Sequence, residues 1–194
     1  MSISFQLICD DITNINVDAI VNSANTSLRK GSGMCKTIYD KAGENKLDNY
    51  IISKYGKHFK LNPGEAIITP GFALPAKYII HTVTPKFFLG IQEDNIEKLS
   101  YCYAAIIMAS QKHNITSIAI PCLGIGHHGW PLRLGTSIAV DTRTSIAVDT
   151  LIWSSKNINK NLNVIFCCYN KEQLCCYQDI LLNSDIKVND NIHN

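Results

Sequence analysis

Twice in this chain an apolar, strand-like run stops at a glycine-rich turn, and each turn opens into a helix-like run. The later turn is the tighter one: Ile120-Pro-Cys-Leu-Gly-Ile-Gly-His-His-Gly-Trp-Pro131 carries glycines at 124, 126 and 129. Glycines at this density let backbone N–H groups approach an anion with no Cβ in the way. Pro131 suits the first turn of a helix, where proline's missing N–H would be unpaired anyway, and a helix N-terminus adds the positive end of its dipole. The stretch reads as a phosphate-holding loop, with an ordinary glycine-rich turn as the plain alternative. The earlier turn, Gly31-Ser-Gly33, feeds Met34 to Ala42, where Met34, Ile38 and Ala42 recur at helical spacing.

The remaining segments keep the alternation. Strands are predicted over 3–9, 17–22, 65–69, 77–83, 116–122 and 163–168, and helices over 34–42, 47–55, 95–113, 131 to about 155, and 171–182. Such a pattern argues for an α/β domain whose sheet is covered on both faces. Ligands in these folds collect at the carboxyl ends of the strands. The Asp10-Asp11 turn and both glycine turns follow strands, so they are expected to converge on one crevice. His81 lies mid-strand and reads as a satisfied core histidine.

Length and charge bound the possibilities. The 194 residues, 46% hydrophobic, suit one core, expected over 1–182, followed by a polar tail at 183–194. A formal net charge of +2 with scattered lysines gives no nucleic-acid footprint, and no apolar run reaches membrane-spanning length. Residues 1–20 lack a basic leader, so a cytoplasmic location is expected, with a nuclear one possible. The eight cysteines are read as free thiols, with Cys9, Cys122, Cys167 and Cys168 as small core residues. No cysteine spacing suggests structural zinc, so no metal and no cofactor are expected.

One oddity is a tandem repeat, Thr136-Ser-Ile-Ala-Val-Asp-Thr-Arg143 followed by Thr144-Ser-Ile-Ala-Val-Asp-Thr150. It is too short for a solenoid unit and reads as a local duplication within a helical region. Eight extra helical residues would add about 12 Å and turn the downstream face by roughly 80°.

Taken in order, Asp11-Ile-Thr, Val17-Asp-Ala-Ile-Val-Asn-Ser-Ala-Asn25, Gly31-Ser-Gly-Met34, Gly64-Glu-Ala66, Leu74-Pro-Ala-Lys-Tyr-Ile-Ile-His-Thr-Val83 and the Gly124 to Pro131 loop resemble the macrodomain family of ADP-ribose-binding modules. The resemblance spans about residues 5 to 182. It implies a three-layer α/β/α fold with a mixed central sheet, a monomer, and ADP-ribose or ADP-ribosylated proteins as partners.

By that resemblance Asp11 accepts from the adenine amino group, with the amide of Ile12 beside it; turn capping is the competing role for the carboxylate. Asn25 binds the distal ribose, against a role in turn chemistry, while Asn22 is structural. Gly33 and Met34, together with Gly124, Ile125, Gly126, His127 and His128, wrap the diphosphate and distal ribose. His128 stands where the family has an aromatic ring, His127 takes a usually apolar place and is read as pointing outward, and Tyr169 stands where an aromatic packs near adenine in some members.

The resemblance also implies hydrolysis of mono-ADP-ribose from proteins or of O-acetyl-ADP-ribose. Asn25, Cys35 and His128 are the catalytic candidates. Cys35 replaces an acidic residue of one hydrolase branch, and a thiol serves as a base only if its pKa is lowered. The expected chemistry is therefore substrate-assisted, with the diphosphate orienting a water. A non-catalytic reader uses the same binding residues and differs only in turnover. An NAD-dependent oxidoreductase is disfavoured, because Gly124-x-Gly126-x-x-Gly129 comes late in the chain rather than after the first strand.

Overall fold

The computed structural model describes residues 3–87, 93–140 and 161–183. In chain order these form β1 (Ile3–Cys9), a single 3-10 turn (Ile12–Asn14), β2 (Ala19–Ser23), α1 (Gly33–Ala42), α2 (Glu44–Tyr55), β3 (Ala66–Pro70), β4 (Tyr78–Thr82), α3 (Glu93–Lys112), β5 (Ser117–Pro121), α4 (Leu132–Val140), β6 (Leu162–Cys168) and α5 (Lys171–Leu182). The six strands make one sheet in the order β1-β6-β5-β2-β4-β3. Every neighbouring pair is parallel except β3 with β4, which gives the mixed sheet expected.

The near-continuous apolar character of the strands follows from burial on both faces. Successive residues of β6 alternate between two cores: Val164, Phe166 and Cys168 face α3, α4 and α5, while Ile165 and Cys167 face α1 and α2. β2 divides in the same way, with Ala19 and Val21 on the first side and Ile20 on the second. Each fully buried Ile, Leu or Phe contributes about 1.5–3 kcal/mol of transfer free energy, so these layers dominate the favourable side of folding.

Element ends depart from the sequence reading where caps decide. α2 begins at Glu44 rather than 47, because Gly43 closes α1 and serves at once as the residue before α2. α4 begins at Leu132, and Pro131 stands just outside it, its carbonyl accepting from Gly135 N at 2.9 Å. The first repeat copy enters α4, with Thr136, Ile138 and Ala139 buried; the second copy, the helix beyond 140 and the tail from 184 lie outside the described residues. All eight cysteines are free. Cys167 and Cys168 are buried as expected, but Cys9 is exposed, since it ends edge strand β1 with only Cys168 of β6 beside it.

At the amino ends of the parallel strands, Asp18 ties three elements together. Its carboxylate accepts from Lys77 Nζ at 2.7 Å, Thr116 N at 2.9 Å, Thr116 Oγ1 at 2.7 Å and Ser117 N at 3.3 Å. Desolvation raises its carboxyl pKa, but the bonds from Lys77 and Thr116 outweigh it and hold the group well below the usual carboxylate range. A depressed folded pKa gives stability that is present above the unfolded value of about 3.9 and lost as pH falls toward the folded one. Asp18→Asn is expected to cost about 1–3 kcal/mol at pH 7. In melting curves recorded from pH 7 downward, the gap between variant and wild type should close below about pH 4; a gap independent of pH would count against this account.

Candidate functional site

The carboxyl ends of β1, β6, β5 and β2 are adjacent in the sheet, so the turns that follow them sit side by side. β1 leads into Asp10 and Asp11, β6 into Tyr169, β5 into the glycine loop and β2 into Ala24 and Asn25. Asp10 N donates to Cys168 O at 3.2 Å, which joins the first two of these turns.

Asp11 caps the short Ile12–Asn14 turn: its Oδ1 accepts from Thr13 N at 2.9 Å and Thr13 Oγ1 at 2.5 Å, and its Oδ2 from Lys41 Nζ at 3.0 Å. Desolvation pushes the carboxyl pKa up, but the bonds from Thr13 and Lys41 win and hold it down. The capping role weighed from sequence is therefore real, and Oδ2 keeps one lone-pair direction for an exocyclic amine. The Ile12 side chain is buried. Tyr169 is 86% exposed and directly follows Cys168, whose carbonyl takes the bond from Asp10 N. Its amide donates to Gln173 Oε1 at 2.8 Å, which fixes the turn that carries the ring.

Asn25 is more committed than its sequence context suggests. Its Nδ2 donates to Arg29 O at 2.7 Å, while its Oδ1 accepts from Ser27 Oγ at 2.8 Å and Arg29 N at 3.1 Å. Both acceptor directions are used, so only one amide N–H is left to reach a ligand. The turn is anchored by Leu28, fully buried at φ +52°, whose carbonyl accepts from Tyr39 OH at 2.6 Å.

Asn22 is structural, as expected: it is fully buried, and its Nδ2 lies 3.1 Å from His81 Nδ1 and 3.7 Å from Cys35 Sγ. His81 Nε2 lies 3.0 Å from Thr69 Oγ1. Burial pushes the imidazole down to about 3, so His81 is the satisfied, neutral core histidine of the sequence reading.

The same network reaches Cys35, whose Sγ accepts from Asn22 Nδ2. Its thiol is buried beneath loop Gly31–Gly33, and a Cβ placed on Gly31 would meet both Cys35 Sγ and Asn25 Nδ2 at 3.5 Å. Burial raises the thiol pKa, more than the bonds from Gly31 N–H and Asn22 lower it. Proximity to the start of α1 does not make a thiolate here, because desolvation is the larger effect. Iodoacetamide at pH 8 should leave Cys35 unlabelled while modifying exposed Cys9 and Cys175 in peptide mass spectrometry; fast labelling of Cys35 would restore it as a base.

The loop after β5 is built on Trp130. Gly124 has φ +82°, and a Cβ there would stand 2.6 Å from Trp130 Cδ1, so the position admits only glycine. Trp130 N donates back to Gly124 O at 3.1 Å and Gly129 N to Gly126 O at 3.0 Å. At the tip, by contrast, a Cβ on Gly126 meets nothing within 4 Å, and the same holds for Gly33 on the facing loop. The two loop tips thus border open space, where a backbone cradle requires it. Ile125 and Met34 are half-buried at its edge.

The two histidines differ. His128 is half-buried, with Nδ1 hydrogen-bonded to Thr84 Oγ1 and its carbonyl accepting from Phe87 N at 2.7 Å. Burial first, then the charges of Lys86 and His127, push its pKa down against an opposing bond with the Thr84 backbone, which favours the neutral ring at pH 7. His127 is exposed, yet does not simply point outward: its Nε2 lies 3.3 Å from Ser32 Oγ on the other loop.

Sequence reading missed Ser32, Lys41, Thr84 and Trp130. Only Ser32 carried a local signal, a helix-capping residue type directly before Gly33. A groove of about 960 Å³ lies apart from this cleft, between the end of α2, β3 and the second half of α3. It holds none of the glycine turns.

The family model of the macro domain matches residues 21–139. The chain belongs to the macro domain family. It is 34% identical over 181 residues to a human ADP-ribose glycohydrolase, MACROD2, covering 93% of this chain and 40% of that protein. It is 32% identical to an O-acetyl-ADP-ribose deacetylase of Salmonella gallinarum, over 93% of this chain and 96% of the enzyme. A variant of the Oceanobacillus iheyensis macrodomain solved with ADP-ribose superposes with a TM-score of 0.78 at 28% identity, covering 91% of each chain.

Proposed function

We propose that this macro domain binds ADP-ribose along the strand ends and hydrolyses its linkage to a protein side chain or to an acetyl group. The observation that carries the reading is the pair of glycine tips, Gly33 and Gly126, bordering open space between adjacent strand ends. The names of the two hydrolytic relatives, and the ligand of the Oceanobacillus structure, support ADP-ribose as the ligand that fits it.

In this reading Asp11 and Tyr169 take adenine, the loop backbones take the diphosphate, and Asn25 offers its remaining N–H to the distal ribose. Cys35 is neutral and buried, and His128 is neutral and held by Thr84. Neither supplies a charged base. The attacking water is therefore oriented by the substrate's own diphosphate, and the protein contributes position and exclusion of alternatives.

Asp11→Ala should weaken ADP-ribose binding by about tenfold and ribose 5-phosphate binding by less, since only the first carries adenine. Equal losses in calorimetry would remove the adenine assignment. The reaction is tested by single-turnover release of ADP-ribose from a protein mono-ADP-ribosylated on acidic side chains, with the domain in excess. Release supports an eraser that works with Cys35 in place of an acid. Label retained on a bound substrate would make the domain a reader, and the buried neutral thiol would be the first suspect.

A further inference from the structure

Ser32 stands at the residue that precedes α1, with extended backbone at φ −115° and ψ 174°, the place where a serine normally caps its helix. Its side chain makes no capping bond. It reaches instead to His127 Nε2, 3.3 Å away and 95 residues on in sequence. The two loops are anchored separately at their bases, the first by Leu28 and Tyr39, the second by Trp130 and Pro85. Their tips, Ser32 and Gly33 on one side and Gly126 and His127 on the other, are exposed.

We infer that Ser32 and His127 form a strap joining the two loop tips over the diphosphate groove, and that this strap sets how long a diphosphate ligand is held. The inference rests on the binding reading above and adds two positioning residues to it. The loops arise from neighbouring strands, β2 and β5, so a bond between their tips bridges the opening rather than the floor. A diphosphate entering between Gly33 and Gly126 must part the pair or pass beneath it. Once the ligand is inside, the pair closes over it again, and release requires the Ser32–His127 bond to part. A ligand that ends at its first phosphate spans less of the groove and engages the strap less. The structure thereby assigns selectivity for ligands extending through a second phosphate to Ser32 and His127.

The test is the dissociation rate of ADP-ribose in a stopped-flow chase, for wild type, Ser32→Ala, His127→Ala, the double variant and Ser32→Thr. Each alanine variant should release ADP-ribose about two- to tenfold faster, the double variant no faster than the quicker single, and the threonine variant near the wild-type rate. Affinity for adenosine 5′-monophosphate should move less than for ADP-ribose. Unchanged dissociation, or effects that multiply in the double variant, would overturn the strap. Amide exchange in the ligand-free protein judges it independently: Ser32→Ala should speed exchange at 124–129, and unchanged exchange there would also overturn it. Wild type that holds no ADP-ribose would instead refute the binding reading, leaving amide exchange to decide the strap.

Discussion

Gly126→Glu is expected to lower ADP-ribose affinity by at least about a hundredfold while leaving the fold intact. The position separates the two effects because a Cβ there meets nothing within 4 Å and its φ is ordinary. The carboxylate then stands at the tip of the loop, against the proposed diphosphate. Two like charges about 4 Å apart repel by roughly 4 kcal/mol at an effective dielectric of 20, and salt screening reduces this without abolishing it. Gly126→Ala, which adds volume and no charge, should cost far less. Calorimetry gives the affinities, and melting temperatures within about 2 °C of wild type establish that the variants fold. A glutamate variant that binds normally and melts normally would take the loop out of the site. Gly124 offers no such clean test, since its substitution collides with Trp130.

What was legible beforehand follows from which signals are local. The strand and helix alternation is written in residue periodicity, and burial on two faces makes it stronger: Val164 through Cys168 is apolar throughout because each face has its own core. The glycine turns were legible because positive φ and close approach exclude other residues, as at Gly124. The antiparallel edge strand β3 and the order of strands are long-range facts with no local trace.

Side-chain commitments were the least legible. Asn25 as an isolated amide reads as a donor and acceptor, but its acceptor oxygen is consumed by Ser27 and Arg29, which only the folded turn reveals. Cys35 sits at a helix start, where the dipole argues for a lowered pKa, yet the loop above it excludes water and the opposite shift results. His127 looked like a solvent-facing substitution until the fold brought Ser32 within reach of it. In each case the deciding partner comes from the packing of turns against one another, not from the residue's own neighbours in sequence.

Trp130→Ala should be the most destabilising single change in the glycine loop. The indole is 2% exposed, its ring centroid lies 5.2 Å from that of Phe87, and its Nε1–H donates to Pro85 O at 2.8 Å. Removing a buried aromatic of this size costs about 3–5 kcal/mol, and the Pro85 carbonyl is left without its donor. For a chain of this length that corresponds to a melting temperature lower by roughly 6–20 °C. Trp130→Phe keeps most of the ring and loses the N–H, so it should cost about 1–2 kcal/mol and isolate the hydrogen bond. Binding supplies the second half of the argument. Trp130 packs under Gly124 and holds the loop's return at Gly124 O, so the folded fraction of the alanine variant should bind ADP-ribose more weakly than wild type although Trp130 touches no ligand in this reading. If affinity per folded molecule is unchanged while stability falls, the tip of the loop holds its shape without the indole, and preorganisation of the cradle must come from the Gly126–Gly129 turn alone.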